Sequence, residues 1–310
     1  MATITIEAPA KINLFLEVLG KRRDGYHEIR TIMQSIELCD LIILKERREP
    51  GIHLTIKMTA SGNSDMNNLP PGKDNLAYRA AELFLQESEI KKGVEIYLEK
   101  NIPVGAGLGG GSSDAAGVLV GLNRLWNTGF SKNRLRKMGE HLGMDVPFFI
   151  EGGTAYATGR GERIFHISGV PHFWVVLIDP GFSVSTKWAY GNIGKNFLTK
   201  KPSYAKIVLK SLLAGDIASL GKNLYNEFER VLEIKYSGFL RETKRLLKDT
   251  GAKGVLMTGT GPVVFGIFKE RGDANRSFVE IGRKARRVYL TKTRGGVEDG
   301  NHRGTNFSAR

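Results

Sequence analysis

With one cysteine in 310 residues, the chain has no partner for an internal disulfide and no set of thiolates for a metal cluster. Set between Leu38 and Leu41, Cys39 reads as a small core residue, and redox chemistry is not expected. Apart from His27, the histidines (His53, His141, His166, His172 and His302) show no ligand spacing and read as structural or surface residues. No apolar run approaches the ~18 residues of a membrane span, and the opening MATITIEAPAKIN lacks the basic-then-apolar layout of a secretory signal. A cytosolic protein without a membrane partner is the expectation. Two phosphate-handling signatures are missing as well. No Gly-Lys-Ser/Thr closes a Walker A loop, and there is no His-Arg-Asp or Asp-Phe-Gly of a protein kinase.

Positive charge and glycine are plentiful. The formal net charge is +14, and the stretch from Arg283 to Arg310 carries eight Lys or Arg against two acids. Nucleic acid is one partner such charge suggests, yet no zinc-finger spacing and no interleaved aromatic and basic stretch accompanies it. A diffuse positive field also serves to steer nucleotide and diphosphate anions. The glycines concentrate in Pro103 to Ala116, PVGAGLGGGSSDAA, directly before an apolar helical stretch (Ala115, Val118, Leu119, Leu122, Leu125). Glycines let backbone approach an anion, and the first N–H groups of the helix point at it. Ser112, Ser113 and Asp114 are expected to supply cap oxygens there. Gly105, Gly107 and Gly110 satisfy GxGxxG, but the preceding strand, Gly93 to Lys100, alternates polar and apolar as a half-exposed strand does. No acidic residue follows at the dinucleotide-binding distance. The loop is a phosphate site of another kind, or a tight helix–sheet turn.

Along the chain, strands are expected at Thr3 to Glu7, Ile12 to Leu19, Thr31 to Leu38, Leu41 to Glu46 and Ile52 to Met58. Further strands are expected at Val94 to Glu99, Gly152 to Thr158, Arg163 to Ile167, Phe173 to Asp179, Gly254 to Met257 and Val263 to Phe268. Helices are expected at Asn75 to Glu87, Lys132 to His141, Tyr204 to Leu213, Leu224 to Leu232 and Gly238 to Lys248. The mixture indicates an α+β chain, with a boundary near residue 165 and a disordered Gly-rich end after Arg294. Strand alternation puts Ile12, Leu14, Leu16 and Val18 on one face and Lys11 and Asn13 on the other, where they either share a ligand or face solvent. Asp145, two residues before Pro147, is either a helix N-cap or a functional carboxylate.

The glycine loop resembles the phosphate-binding motif of the GHMP small-molecule kinases, which include galactokinase, homoserine kinase and mevalonate kinase. Ala8-Pro9-Ala10-Lys11-Ile12-Asn13-Leu14, Asp24-Gly25-Tyr26-His27-Glu28 and Gly143-Met144-Asp145-Val146-Pro147 resemble the branch acting on 4-diphosphocytidyl-2-C-methyl-D-erythritol, and the similarity runs to about Arg294. Gly259-Thr260-Gly261-Pro262-Val263-Val264-Phe265 resembles the family's C-terminal glycine loop, with Thr260 where many relatives carry Ser and Val263 where a small or hydroxylated residue is usual.

The resemblance implies a two-domain GHMP fold with the active site in the cleft between the domains. Residues 1–165 would form a domain like ribosomal protein S5 domain 2 and residues 166–294 a ferredoxin-like domain, followed by a basic tail, 295–310. It implies ATP and Mg2+ as cofactors, a small-molecule acceptor, no nucleic acid, and phosphorylation of that acceptor's 2-hydroxyl on the non-mevalonate isoprenoid route. Homoserine or mevalonate as acceptor, and a non-catalytic nucleotide- or nucleic-acid-binding module, are the alternative readings.

Residue by residue, the resemblance makes Lys11 and Asp145 catalytic. It gives the nucleotide to Pro103, Val104, Gly105, Ala106, Gly107, Leu108, Gly109, Gly110, Gly111, Ser112 and Ser113, and the cytidine diphosphate acceptor to Asn13, Tyr26, His27 and Tyr190. Asp145 would take the proton of the attacking hydroxyl, with Lys11 stabilising charge on the transferring group. A hydroxyl from Ser112 or Ser113 would reach the metal. His27 would bond the cytosine edge, with Tyr26 and Tyr190 on the two faces of the base. For Tyr190, ordinary packing beside Trp188 is the competing reading.

Overall fold

The computed structural model describes residues 1–59, 70, 72–194, 205–285 and 287–296. Its first unit is organised by a long antiparallel hairpin of β1 (Thr3–Lys21) and β2 (His27–Arg47). Each of these is one continuous strand where the sequence suggests two. Pro9 cannot donate to the ladder, and the chain absorbs it as a register shift between Pro9 and Lys11, with further shifts after Asn13 and Val18. The strands therefore bend without ending. β2 serves two neighbours. Leu41 to Arg47 pairs with β4 (Gly93–Lys100), and Ile29 to Gln34 pairs with β5 (Thr154–Gly159). β3 (Ile52–Met58) lies parallel to β4, β6 (Arg163–Ile167) extends from β5, and β8 (Tyr225–Asn226) reaches back from the second half to pair with β1 at Phe15 and Leu16.

Helices α1 (Leu76–Ser88), α2 (Gly110–Leu125), α3 (Lys132–Leu142) and the single turn α4 (Val146–Phe149) pack with this sheet around one apolar core. Asn75 caps α1 through the amide of Ala77 at 2.9 Å, and Ser131 caps α3 through that of Arg134 at 3.3 Å. α2 departs from expectation. Its N-cap is Gly109 in the left-handed region at φ 74°, with no side-chain cap, and Ser112, Ser113 and Asp114 already lie inside the helix. α2 also lies close to the sheet, because Gly117 and Gly121 face Ile42 and Leu44 and leave no room there for a Cβ.

The second sheet runs in the order β11 (Val288–Lys292), β7 (Trp174–Ile178), β10 (Val264–Phe268), β9 (Gly254–Met257), all antiparallel. Counted along the chain this is strand order 4-1-3-2, the ferredoxin-like arrangement. Around it run α5 (Thr186–Gly191), α6 (Ala205–Leu213), α7 (Ile217–Asn223), α8 (Phe228–Asp249) and α9 (Arg271–Gly282). α8 spans the two helices expected at 224–232 and 238–248, joined through a kink at Tyr236 (φ −129°). Its start is displaced, since Leu224 ends α7 and Tyr225 and Asn226 form β8. α9 and β11 have no counterpart among the expected elements. α9 buries only Ala274, Ser277 and Ile281, and β11 is a short, half-buried strand, so neither leaves a strong periodic signal.

The boundary expected at residue 165 falls inside β6, and the change of sheet comes after Ile167. Tyr204 of the expected helix and residues 297–310 of the expected tail lie outside the described residues. Gly296 still bridges to Gly152, and the Arg294 amide donates to Ser35 O at 2.8 Å, which stitches the end of the second unit onto the first. Cys39 is half-buried, and burial, reinforced by Glu7, pushes its thiol up to about 11. No helix among the described residues is long and apolar enough to cross a membrane.

Gly121→Val forces α2 away from Leu44 and is expected to cost about 1–3 kcal/mol of stability through overpacking. Urea unfolding measures it, and an unchanged midpoint would mean the helix–sheet gap has slack.

Candidate active site

The glycine loop from Pro103 to Gly109 joins β4 to α2 and lines a cleft of about 1110 Å³. Its glycines allow close approach, most plainly at Gly107 and Gly109. At Gly107 (φ 79°) a Cβ would lie 2.3 Å from the Thr258 carbonyl oxygen, and at Gly109 (φ 74°) one would lie 2.8 Å from the Phe149 ring and 3.2 Å from Lys11 Cγ. The loop is thus pressed backbone to backbone against the turn between β9 and β10, and edge-on against the side chains that follow Asp145. With no side chain capping α2, the amides of its first turn are left to a ligand.

Asn13 ties these parts together. Its Oδ1 accepts from Lys11 Nζ at 2.6 Å and from the Gly259 amide at 3.0 Å, while Nδ2 donates to Thr31 Oγ1 at 2.8 Å. The Asn13 amide donates to Thr258 Oγ1 at 3.1 Å, and that hydroxyl donates to Gly107 O at 3.2 Å. Asn226 of β8 holds the same turn from behind, donating to Met257 O at 2.7 Å and Gly259 O at 2.8 Å. Lys11 and Asn13 do share a face, but it is buried, at 4% and 3% exposure, which removes the reading of a solvated strand face.

Asp145 stands at the N-cap position of α4 without making a capping hydrogen bond. Its carboxylate turns to Lys11 instead, Oδ2 lying 3.6 Å from Nζ, and its side chain keeps 37% exposure. The two residues expected to be catalytic, 134 positions apart in the sequence, meet on the wall of one cleft.

Tyr26, His27 and Tyr190 line the other part of that cleft. Tyr190 lies against His27 with ring centroids 5.1 Å apart and meets Phe228 edge-on at 4.8 Å, so it is both packed and facing the cavity. Burial, with Asp145 adding to it, raises the Tyr190 phenol above its ordinary value, and burial followed by Lys21 lowers the His27 imidazole. Of the loop residues expected to bind nucleotide, Ser113 does not line the cleft. Its hydroxyl is buried and has no hydrogen-bond partner among the described residues. Thr260 lines the cleft, whereas Val263 is fully buried in the core.

Sequence reading missed a buried charge cluster beneath the loop. Lys100 Nζ pairs with Asp40 and, at 2.6 Å, with Asp114, while Asp40 Oδ1 accepts the amides of Asn101 at 2.6 Å and Ile102 at 2.8 Å. The cluster holds both ends of the loop, its entry through Asp40 and its exit through Asp114. Burial, with Asp40 adding and Lys100 opposing, pushes the Asp114 carboxyl up to about 7. A signal was available, because Lys100 falls on the inward parity of Val94, Ile96 and Leu98, and Asp40 on that of Ile42 and Leu44.

Family models for the GHMP kinase N-terminal domain and C-terminal domain match residues 75–153 and 208–285. A 4-diphosphocytidyl-2-C-methyl-D-erythritol kinase from Pelotomaculum thermopropionicum is 44% identical over 94% of this chain and 98% of its own length. The chain belongs to the 4-diphosphocytidyl-2-C-methyl-D-erythritol kinase family, within the GHMP kinases. A solved structure of a 4-(cytidine 5'-diphospho)-2C-methyl-D-erythritol kinase is 32% identical and superposes with a TM-score of 0.79 over 94% of this chain and all of that one. A homoserine kinase from Cytophaga hutchinsonii, at 19% identity and a TM-score of 0.71 over 96% of both chains, shares the fold.

Asn13→Ala leaves the Gly259 amide without its acceptor and frees the Lys11 ammonium. A loss of about 2–4 kcal/mol is expected. Denaturant unfolding checks this, and a loss below about 0.5 kcal/mol would show that the knot is not structural.

Proposed function

We propose that this kinase transfers the γ-phosphoryl group of ATP to the 2-hydroxyl of 4-diphosphocytidyl-2-C-methyl-D-erythritol, on the non-mevalonate route to isoprenoid precursors. The observation that carries the mechanism is the Lys11–Asp145 pair, 3.6 Å apart on the wall of the cleft that the glycine loop also lines. Phosphoryl transfer asks a protein mainly for positioning and charge stabilisation. In this reading the uncapped amides of α2 and the loop from Pro103 to Ser112 hold the triphosphate. Asp145 Oδ2 accepts the proton of the acceptor hydroxyl as it attacks, and the Lys11 ammonium, fixed by Asn13, offsets negative charge on the transferring group.

His27 addresses the edge of the cytosine, and Tyr26 and Tyr190 supply aromatic surface for it. Mg2+ neutralises phosphate charge when bound, and the Ser112 hydroxyl on the cleft wall is the hard oxygen donor that suits it. The net charge of +14 would then steer two polyanionic ligands to the cleft of a cytosolic enzyme, with no call for nucleic acid or membrane.

Asp145→Asn is expected to lower kcat by about 10²-fold to 10⁴-fold, with the KM for ATP held within about twofold. Steady-state assays at varied ATP read both constants, and full turnover in the variant would remove Asp145 from the mechanism. Wild-type protein offered labelled ATP with the cytidine diphosphate alcohol, homoserine and mevalonate in turn should label only the first. Label on either of the others would overturn the acceptor.

A further inference from the structure

The turn between β5 and β6 carries an arginine that none of these roles uses. Arg160 lies between Gly159 (φ 75°) and Gly161 (φ 115°), and its amide donates to Glu162 Oε2 at 2.6 Å, which fixes the turn. Because Gly159 pairs with Ile29, the turn stands beside the start of β2 and so beside Tyr26 and His27. Arg160 lines the cleft, and its guanidinium sits 5.0 Å from the centroid of the Tyr26 ring, which is half exposed. Glu162 approaches its Nε at 3.6 Å, and the carboxylate of Asp24, two residues before Tyr26, lies within reach of its charge. The two terminal nitrogens make no hydrogen bond to any described residue. A cation–π contact holds such a group in place weakly enough to be exchanged for a better partner.

The acceptor assigned above carries two linked phosphates between its base and its reactive hydroxyl, and a planar guanidinium fork matches phosphate oxygens bidentately as no other side chain does. We propose that Arg160 is the specificity-determining residue for the diphosphate of the acceptor. In this structure it lies over the face of Tyr26. When the base stacks on that ring, the fork turns to the phosphates. This inference rests on the acceptor reading and adds to it the group that distinguishes a nucleoside diphosphate from a nucleoside.

Calorimetric titration of the full chain with cytidine 5'-diphosphate and with cytidine tests the assignment, using wild type, R160Q and R160K. R160Q is expected to bind cytidine 5'-diphosphate on the order of 10-fold to 100-fold more weakly, to bind cytidine as wild type does, and to keep the wild-type thermal midpoint and KM for ATP. R160K should fall between the two, since an ammonium supplies charge without the fork. Equal weakening toward both ligands would overturn the proposal in favour of a role on the Tyr26 ring, and unchanged binding of both would overturn it outright. Wild-type protein that binds neither ligand would sink the acceptor reading and this inference with it, whereas normal wild-type binding with an unaffected R160Q sinks this inference alone.

Discussion

The site depends on the contact between two backbone turns, the one through Gly107 and the one through Thr258 and Gly259. No side chain fits between them, and the polar groups exposed by so close an approach are satisfied by the side-chain carboxamide of Asn13, whose Oδ1 accepts from the Gly259 amide, together with the Thr258 hydroxyl, which donates to Gly107 O. The same carboxamide oxygen accepts from the Lys11 ammonium and fixes it. The glycine loop, the Lys11 ammonium and the junction of two sheets are therefore a single hydrogen-bonded unit. A shift in any one part is felt by the others, as close-packed interiors require.

Charge is arranged in two layers around that unit. The outer layer faces the cleft, with Lys11 beside Asp145 and Arg160 over Tyr26. The inner layer, Asp40, Lys100 and Asp114, is sealed from solvent. Removing one member of such a buried cluster leaves an uncompensated charge, so the cluster resists rearrangement even where its net contribution to stability is small. Its position at both ends of the glycine loop converts that resistance into rigidity of the loop.

Much of this was legible in the residues. The glycine loop, Lys11 and Asn13 on one strand face, and Asp145 before Pro147 stand in the sequence as short patterns whose chemistry is local. Strand continuity was not legible, because Pro9 and the paired Cys39 and Asp40 look like breaks until their partners are known. Ser112 and Ser113 resemble caps, yet the helix begins two residues earlier at Gly110, behind the N-cap Gly109, whose left-handed φ no propensity scale registers as a start. α9 and β11 were invisible because tertiary packing, more than periodicity, holds them. Arg160 and the buried cluster are tertiary facts, recognisable only when the parity of β2 and β4 is laid side by side or the β5–β6 turn is placed against β2.

The dependence of β1 on distant chain has a temporal consequence during synthesis. β1 holds Lys11 and Asn13, but the Oδ1 of Asn13 and the parallel edge at Phe15 and Leu16 are completed only by Gly259 and by Tyr225 and Asn226. A nascent polypeptide still on the ribosome can fold most of its leading sheet, domain by domain. The hydrogen bonds that join Asn13 to the turn after β9 cannot close until that turn has cleared the exit tunnel, so the cleft wall around Lys11 is among the last parts of the molecule to be completed.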